Sequence, residues 1–190
     1  MNNIILLGGT QGTGKTTLAK KIAEDFKIPW ISTDQIRSIM KVTTNKELEP
    51  YLFPPSTELD LENLIVREIK QGEAVWSGVL ALINNIYPWE KCIIEGTAIF
   101  PHLVARDLKE KDNITPIFLL QSDIEVITKT VEERSKMPWI KTKTKEQQEQ
   151  KVQLIIAINE KIKKDALNYK YKAIESNDCK DNFDDFIRTL

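Results

Sequence analysis

The sequence has few of the residue types from which metal centres and disulfide frameworks are built. It contains two cysteines and one histidine in 190 residues, so a zinc site with cysteine and histidine ligands is not expected. Cys92 lies beside Ile93 and Ile94, a setting typical of a buried thiol that packs as a small apolar side chain. The chain is nevertheless long enough to bury a core without such cross-links.

Two further absences narrow the class of function. The 27 lysines and arginines balance 28 aspartates and glutamates, so general attraction to nucleic acid is not expected. No apolar stretch is long enough to span a bilayer. Residues 1–7 have no basic region and run into glycines, which predicts a strand and not a signal peptide. We expect a cytoplasmic protein, a monomer or homodimer, with no membrane contact and a small-molecule partner.

Short apolar runs alternate with longer amphipathic stretches along the whole chain. Strands are predicted at residues 4–7, 28–31, 92–94, 114–120 and 171–174. Helices are predicted at residues 15–26, 35–40, 60–87, 100–110, 124–135, 145–167 and 183–190. Residues 57–60 resemble a capping box at the start of the third helix. Apolar strands alternating with helices predict one α/β domain with a parallel sheet covered on both faces.

Glycine is scarce but concentrated, because four of the seven glycines lie in the first fourteen residues. Residues 9–16 match the pattern G-x-x-x-x-G-K-[ST] between a predicted strand and a predicted helix. Backbone N–H groups of such a loop bind phosphates, and the helix N-terminus adds positive potential. Lys15 is predicted to neutralise the β- and γ-phosphates of ATP, and the Thr16 hydroxyl to bind Mg²⁺. The predicted nucleotide-binding residues are Gly9, Thr10, Gln11, Gly12, Thr13, Gly14, Lys15, Thr16 and Thr17.

Two charged residues follow the second predicted strand, at the sheet edge where ligands bind in such folds. Asp34 is predicted to accept or orient the proton of a hydroxyl that attacks the γ-phosphate. Arg37 is predicted to bind an anionic group of the acceptor. The alternative is structural: Asp34 would cap the next helix and form an i,i+3 ion pair with Arg37.

Two more candidates lie further along the chain. Glu95 ends the third predicted strand, where a carboxylate can bind a magnesium-bound water or an acceptor hydroxyl; the alternative is an acidic strand end beside a glycine turn. Arg134 is predicted to close over the nucleotide and stabilise charge on the transferred phosphoryl group. Lys136, Lys141 and Lys143 are weaker candidates. Alternatively, Arg134 is a solvated cation at a helix C-terminus.

With these residues in view, the chain resembles the small P-loop kinases, in particular the 2-phosphoglycerate kinase-like group. More distantly it resembles the zeta-toxin and chloramphenicol-phosphotransferase kinases. The matching segments are residues 8–17, 31–37 and 93–101. The resemblance implies a P-loop NTP hydrolase fold, with three α/β/α layers, a five-stranded parallel sheet of order 2-3-1-4-5 and a small helical lid. We expect a single domain over residues 1–190, with the lid at about 134–145.

The same resemblance implies ATP and Mg²⁺ as donor and cofactor, and transfer to a hydroxyl of a small, anionic metabolite. In such kinases the residues matching Asp34, Arg37 and Arg134 contact the acceptor hydroxyl, the acceptor anion and the phosphates respectively. A nucleoside, nucleotide or nucleotide-sugar kinase is the alternative within the same class. A regulatory ATPase or switch is the alternative outside it. A GTPase switch is disfavoured, because Leu48 stands where its N-K-x-D base reader needs aspartate.

Overall fold

The computed structural model describes residues 3–85, 90–136 and 144–177. Five strands form one sheet in which every neighbouring pair is parallel. The strands are β1 (Asn3–Gly9), β2 (Trp30–Ser32), β3 (Lys91–Glu95), β4 (Ile114–Leu120) and β5 (Lys172–Glu175). Their order across the sheet is β2-β3-β1-β4-β5. The predicted fold class and strand order are confirmed.

The described residues form five strands connected by six α-helices and one short 3₁₀-helix. The α-helices are α1 (Lys15–Phe26), α2 (Thr33–Val42), α3 (Leu61–Asn84), α4 (Pro101–Leu108), α5 (Ile124–Ser135) and α6 (Lys145–Tyr169). The 3₁₀-helix covers Pro50–Leu52, in the segment between α2 and α3. Within the described ranges, none of these helices combines the length and the apolar content needed to cross a membrane.

The sheet buries side chains on both of its faces, as its apolar strands require. On one face, Ile4 and Leu6 of β1 pack in the same cluster as Trp76 of α3. On the other face, Leu7 packs in a cluster with Ile22 of α1. Because successive strand residues point to opposite faces, β1 contributes to two separate cores. The result is the predicted three-layer arrangement.

The structure differs from the prediction mainly at helix starts. Helix α2 begins at Thr33 and not at residue 35, because Ser32 and Gln35 form a capping box around its first turn. Helix α3 begins after Asp60, whose carboxylate accepts a hydrogen bond from Asn63 N at 2.8 Å. The prediction of a capping box at residues 57–60 was therefore wrong. The helix predicted at residues 183–190 lies outside the described residues.

The register of the sheet brings three candidate segments to one edge. Glu95, the last residue of β3, pairs with Leu7 of β1 on one side and with Ser32 of β2 on the other. The loop after β1 and the start of α2 therefore leave the sheet on either side of Glu95. In open parallel sheets, this carboxyl edge is where ligands bind.

Candidate functional site

The loop between β1 and α1 has the backbone conformation of a phosphate-binding cradle. Gly12 and Gly14 have φ angles of 85° and 81°, a left-handed conformation that favours glycine. A side chain at Gly12 would also meet Thr130 of α5, since an added Cβ would lie 2.7 Å from its Cγ2 atom. The loop then enters α1, whose N-terminal amides carry positive potential. Chain conformation and close packing both require glycine at residue 12.

Lys15, the first residue of α1, lies in this cradle and is almost fully buried. Its ammonium group donates to the carbonyl oxygen of Thr10 at 2.6 Å and approaches Thr13 Oγ1 at 3.4 Å. Burial lowers the pKa of Lys15 to about 8, although the negative charge of Glu95 opposes this shift. Among the described residues, the ammonium group therefore has carbonyl and hydroxyl partners but no carboxylate in direct contact, which leaves its charge for an anion.

Thr16 and Glu95 form a direct link between α1 and the end of β3. The Thr16 hydroxyl donates to the Glu95 carboxylate at 3.2 Å, and Glu95 itself is buried. A hydroxyl and a carboxylate are oxygen ligands of the kind that Mg²⁺ prefers. Glu95 is thus an integral part of the cradle, and the interpretation of Glu95 as a mere acidic strand end does not explain its buried contact with Thr16.

Two other elements support the cradle from its far side. Ser176, directly after β5, is buried and donates to the carbonyl oxygen of Thr13 at 2.9 Å. Arg134 lies exposed in the last turn of α5, and its positive charge is one of the causes that lower the pKa of Lys15. The Arg134 side chain is therefore close enough to Lys15 for both cations to act on one bound anion. Lys136 is exposed at the end of α5, whereas Lys141, Lys143 and most of the predicted lid lie outside the described residues.

Asp34 occupies the first turn of α2 without capping it. Ser32 is the N-cap residue, and its hydroxyl accepts a hydrogen bond from Asp34 N at 3.3 Å. Within the described ranges, no donor contacts the Asp34 carboxylate and no ion pair joins it to Arg37. The capping alternative for Asp34 is therefore wrong. Its exposed carboxylate lies close enough to Lys15 to raise the pKa of that lysine.

Arg37 lies one turn further along α2 and is half-buried. Its Nε atom donates to the carbonyl oxygen of Leu52 at 2.9 Å. Burial lowers the pKa of Arg37, while the nearby charges of Asp34 and Glu68 raise it. Because Nε is engaged with the backbone, the guanidinium plane is fixed, and its two terminal nitrogens are the donors left for an anion.

Helix α3 supplies functional candidates that the sequence analysis missed. The Arg67 guanidinium donates through Nη2 to the carbonyl oxygens of Pro50 and Phe53. The side chain of Gln71 donates to Tyr51 O at 3.2 Å. Together with Arg37, these two side chains hold the backbone of the 3₁₀-helix segment against α3. The i,i+4 spacing of Arg67 and Gln71 was the available signal, but polar residues at that spacing also occur on solvated helix faces.

Residues 54–59, which directly follow the segment held in this way, form one wall of an open cleft of about 1140 Å³. Its other walls come from α3 and from the start of α6, including Lys151. A small cavity of about 10 Å³ beside Asp34 and Arg37 adjoins it. A second small cavity of similar volume lies against the phosphate loop at Thr10. The structure thus brings Lys15, Thr16, Glu95, Asp34 and Arg37 to one edge, with a cleft on the side of Arg37.

Known proteins that are similar to this chain in sequence include two kinases. A 2-phosphoglycerate kinase of Methanothermobacter thermautotrophicus is 31% identical over 150 residues, covering 72% of this chain and 48% of the relative. The 2-phosphoglycerate kinase of Methanocaldococcus jannaschii is 32% identical over 125 residues, covering 61% of this chain and 40% of the relative. Over most of its length, the chain is thus similar in sequence to the 2-phosphoglycerate kinases. It spans about half the length of these curated relatives.

Two further comparisons concern the fold and the loop. Shikimate kinase from Acinetobacter baumannii superposes with a TM-score of 0.55 at 14% identity, covering 100% of this chain and 94% of that one. This likeness shows a shared P-loop kinase fold. The family model of the ATPase family associated with various cellular activities (AAA) matches residues 5–71. That match includes the phosphate loop, α1 and α2, but not the second half of the sheet.

Proposed function

We propose that this chain is an ATP- and Mg²⁺-dependent kinase that transfers the γ-phosphate to a hydroxyl group of a small, anionic metabolite. The observation that carries the proposal is the position of Asp34. Its carboxylate has no capping role and no hydrogen-bond donor in the described ranges, and it lies near Lys15 at the same sheet edge. A phosphate loop that only hydrolysed or sensed a nucleotide has no need of a second, open binding site beside this carboxylate.

On the donor side, the proposal assigns the triphosphate to the loop of residues 9–17. The N–H groups of the loop bind the phosphates, and the Lys15 ammonium neutralises the β- and γ-phosphates. The Thr16 hydroxyl and, through water, the Glu95 carboxylate would hold Mg²⁺, which neutralises charge on the phosphate oxygens. Arg134 is assigned to the phosphates as the charge that stabilises the transferred group.

On the acceptor side, Asp34 accepts the proton of the attacking hydroxyl. The hydroxyl oxygen forms a bond to the γ-phosphorus as the bond from that phosphorus to the β,γ-bridging oxygen breaks. The products are a phosphate ester and ADP, and the proton leaves with Asp34. Arg37 binds the anionic group of the acceptor through its terminal nitrogens. Positioning the two reactants in line and stabilising the charge on the transferred group together supply the rate acceleration in such reactions.

The test is a screen of acceptors with ADP production as the readout, compared with an ATP-only blank. The panel contains 2-phosphoglycerate, D-glycerate, D-gluconate, AMP, cytidine and UDP-glucose, so that the metabolite and nucleotide alternatives compete directly. We expect one or a few hydroxylated acids to raise ADP production well above the blank. ADP production that is the same with every acceptor would contradict the proposal and favour a regulatory ATPase.

A further inference from the structure

Glu68 of α3 lies where the donor and acceptor parts of the site meet. It lines the open cleft together with Arg37, the small cavity beside Asp34, and the small cavity against the phosphate loop at Thr10. No other residue in the described part of the chain lines all three of these cavities. A group bound at Glu68 would therefore lie between the nucleotide phosphates and the acceptor anion.

The effect of the Glu68 charge on two neighbouring cations also places Glu68 between the donor and acceptor parts of the site. Its negative charge raises the pKa of Lys15 on the donor side. The same charge raises the pKa of Arg37 on the acceptor side. Charge interactions of this kind weaken with distance, so the Glu68 carboxylate is close to both groups.

Glu68 is also a half-buried carboxylate without a partner. Within residues 3–85, 90–136 and 144–177, no hydrogen bond or ion pair involves its side chain. Its neighbours on α3, Arg67 and Gln71, direct their donors to the backbone of the 3₁₀-helix segment instead. Leaving a partly desolvated carboxylate without a donor is costly, and a ligand that supplies a donor would relieve this cost.

The ligand that this carboxylate fits is a hydrogen-bond donor. No cluster of three or more acidic, histidine or cysteine residues suited to a metal ion occurs in the described part of the chain. An anionic group would be repelled by the ionised carboxylate at close range. A hydroxyl group needs no cluster of ligands and carries no negative charge. It can donate a short hydrogen bond to the carboxylate.

We propose that Glu68 is a specificity-determining residue that accepts a hydrogen bond from a second hydroxyl of the acceptor, one that is not phosphorylated. The inference rests on the proposed kinase function and narrows it. The acceptor is then an acid with at least two hydroxyl groups: one faces Asp34, one faces Glu68, and the single anionic group faces Arg37.

The charge of the cleft agrees with one anionic group on the acceptor. Its described lining residues include three cationic side chains (Arg37, Arg67 and Lys151) and three carboxylates (Glu58, Glu68 and Glu146). An acceptor with both a carboxylate and a phosphate, such as 2-phosphoglycerate, would place an additional negative charge near Glu68. We therefore expect D-glycerate to be a better acceptor than 2-phosphoglycerate.

The experiment compares two pairs of acceptors that differ in one hydroxyl. The first pair is D-glycerate and 3-hydroxypropionate, and the second is glycerol 3-phosphate and 3-hydroxypropyl phosphate. Each is assayed with the wild type, with Glu68→Ala and Glu68→Gln, and with Glu62→Gln as a control. Glu62 lies exposed on the same helix and lines none of the three cavities.

For the wild type, kcat/KM should favour the dihydroxyl member of a pair by roughly tenfold to a hundredfold, as expected for a hydrogen bond to a charged group. Glu68→Ala should bring this ratio close to one by lowering kcat/KM for the dihydroxyl member alone. Glu68→Gln keeps a carbonyl acceptor and should give an intermediate ratio. Glu62→Gln should keep the wild-type ratio, the wild-type KM for ATP and the wild-type melting temperature.

Two results would overturn the assignment of Glu68 while leaving the kinase proposal intact. One is a wild type that phosphorylates 2-phosphoglycerate but neither dihydroxyl acceptor. The other is a hydroxyl preference that Glu68→Ala does not change. If the wild type binds ATP but transfers phosphate to no compound in either panel, the kinase proposal fails and the assignment of Glu68 fails with it.

Discussion

The donor and acceptor sides of the site are built in different ways. The donor side is centred on one continuous stretch of chain, in which backbone N–H groups, glycine conformations and Lys15 act together, and Glu95 and Arg134 are added to it from elsewhere. The acceptor side is assembled from side chains on α2, α3 and α6 and from residues 54–59, which follow the 3₁₀-helix. A loop that binds phosphates mainly through its backbone keeps the same ligand when side chains change. A cleft lined by side chains can change its ligand through a few substitutions. The following variants are chosen to affect one side and spare the other.

The largest effect is expected on the acceptor side, from Asp34→Asn. The amide cannot accept the proton of the attacking hydroxyl, so kcat should fall by roughly 10²–10⁴-fold, while the Kd for ATP stays close to the wild-type value. Steady-state kinetics and equilibrium nucleotide binding measure the two quantities. Asp25→Asn, on the exposed end of α1, is the matched control. Unchanged turnover in Asp34→Asn would contradict the assignment of Asp34 as the base that accepts the hydroxyl proton.

On the donor side, Lys15→Ala should raise the Kd for ATP by about two orders of magnitude or more, because a buried charge contact to the phosphates is lost. Fluorescence or calorimetric titration measures this change. The loss of a buried cation should not lower the melting temperature of the nucleotide-free protein. Lys164→Ala, on the exposed face of α6, should bind ATP normally. Tight ATP binding by Lys15→Ala would contradict the assignment of the loop.

A third pair of variants distinguishes anion binding from loop holding on the acceptor side. Arg37→Gln should raise the KM for the acceptor by roughly tenfold or more, with little change in the KM for ATP. Arg67→Gln removes a side chain that holds the same 3₁₀-helix segment, and it should have a smaller effect on the acceptor KM. Equal effects of the two variants would show that Arg37 acts only by holding that segment.

The smallest effect is a pH dependence confined to the donor side. Burial lowers the pKa of Lys15 to about 8 in the nucleotide-free protein, whereas nearby phosphates would favour its charged form. ATP affinity should therefore be constant below about pH 7 and fall by up to tenfold per pH unit above pH 8, with proton uptake on binding. Calorimetry in buffers of different ionisation enthalpy measures the uptake. An affinity that stays constant from pH 7 to 9.5 would contradict this.

The lowered pKa of Lys15 has a second consequence with a defined sign. Between pH 8 and 10.5 the unfolded chain binds more protons at this residue than the folded chain does. The contribution of Lys15 to the free energy of unfolding therefore rises with pH over this window. The same titration thus favours folding while it disfavours nucleotide binding.

The contrast between the two sides also explains what the sequence could predict. The phosphate loop is contiguous, so its glycines, Lys15 and Thr16 were recognisable from spacing alone. Asp34 and Glu95 were predictable because residues at the ends of parallel strands share one edge. That Ser32 and not Asp34 caps α2 became clear only from the residue at which the helix begins in the structure.

Helix α3 could not be interpreted in the same way. Its apolar residues predicted a packed helix, but no local pattern distinguished Glu68 from the other polar residues on it. The function proposed for Glu68 depends on where α3 lies relative to α2 and the phosphate loop. Both of these elements are more than 25 residues away from Glu68 in the sequence. That arrangement comes from tertiary packing, including the close approach of Gly72 to Phe100, and local patterns do not encode it.

The most direct test of the central claim is ³¹P NMR of a reaction containing the protein, ATP, Mg²⁺ and the best acceptor of the screen. If donor and acceptor sites lie side by side as proposed, a phosphate-ester signal should grow in proportion to the ADP formed. The same signal should be absent with Asp34→Asn, although that variant still binds ATP. Formation of ADP with inorganic phosphate alone, at the same rate with and without acceptor, would contradict the account.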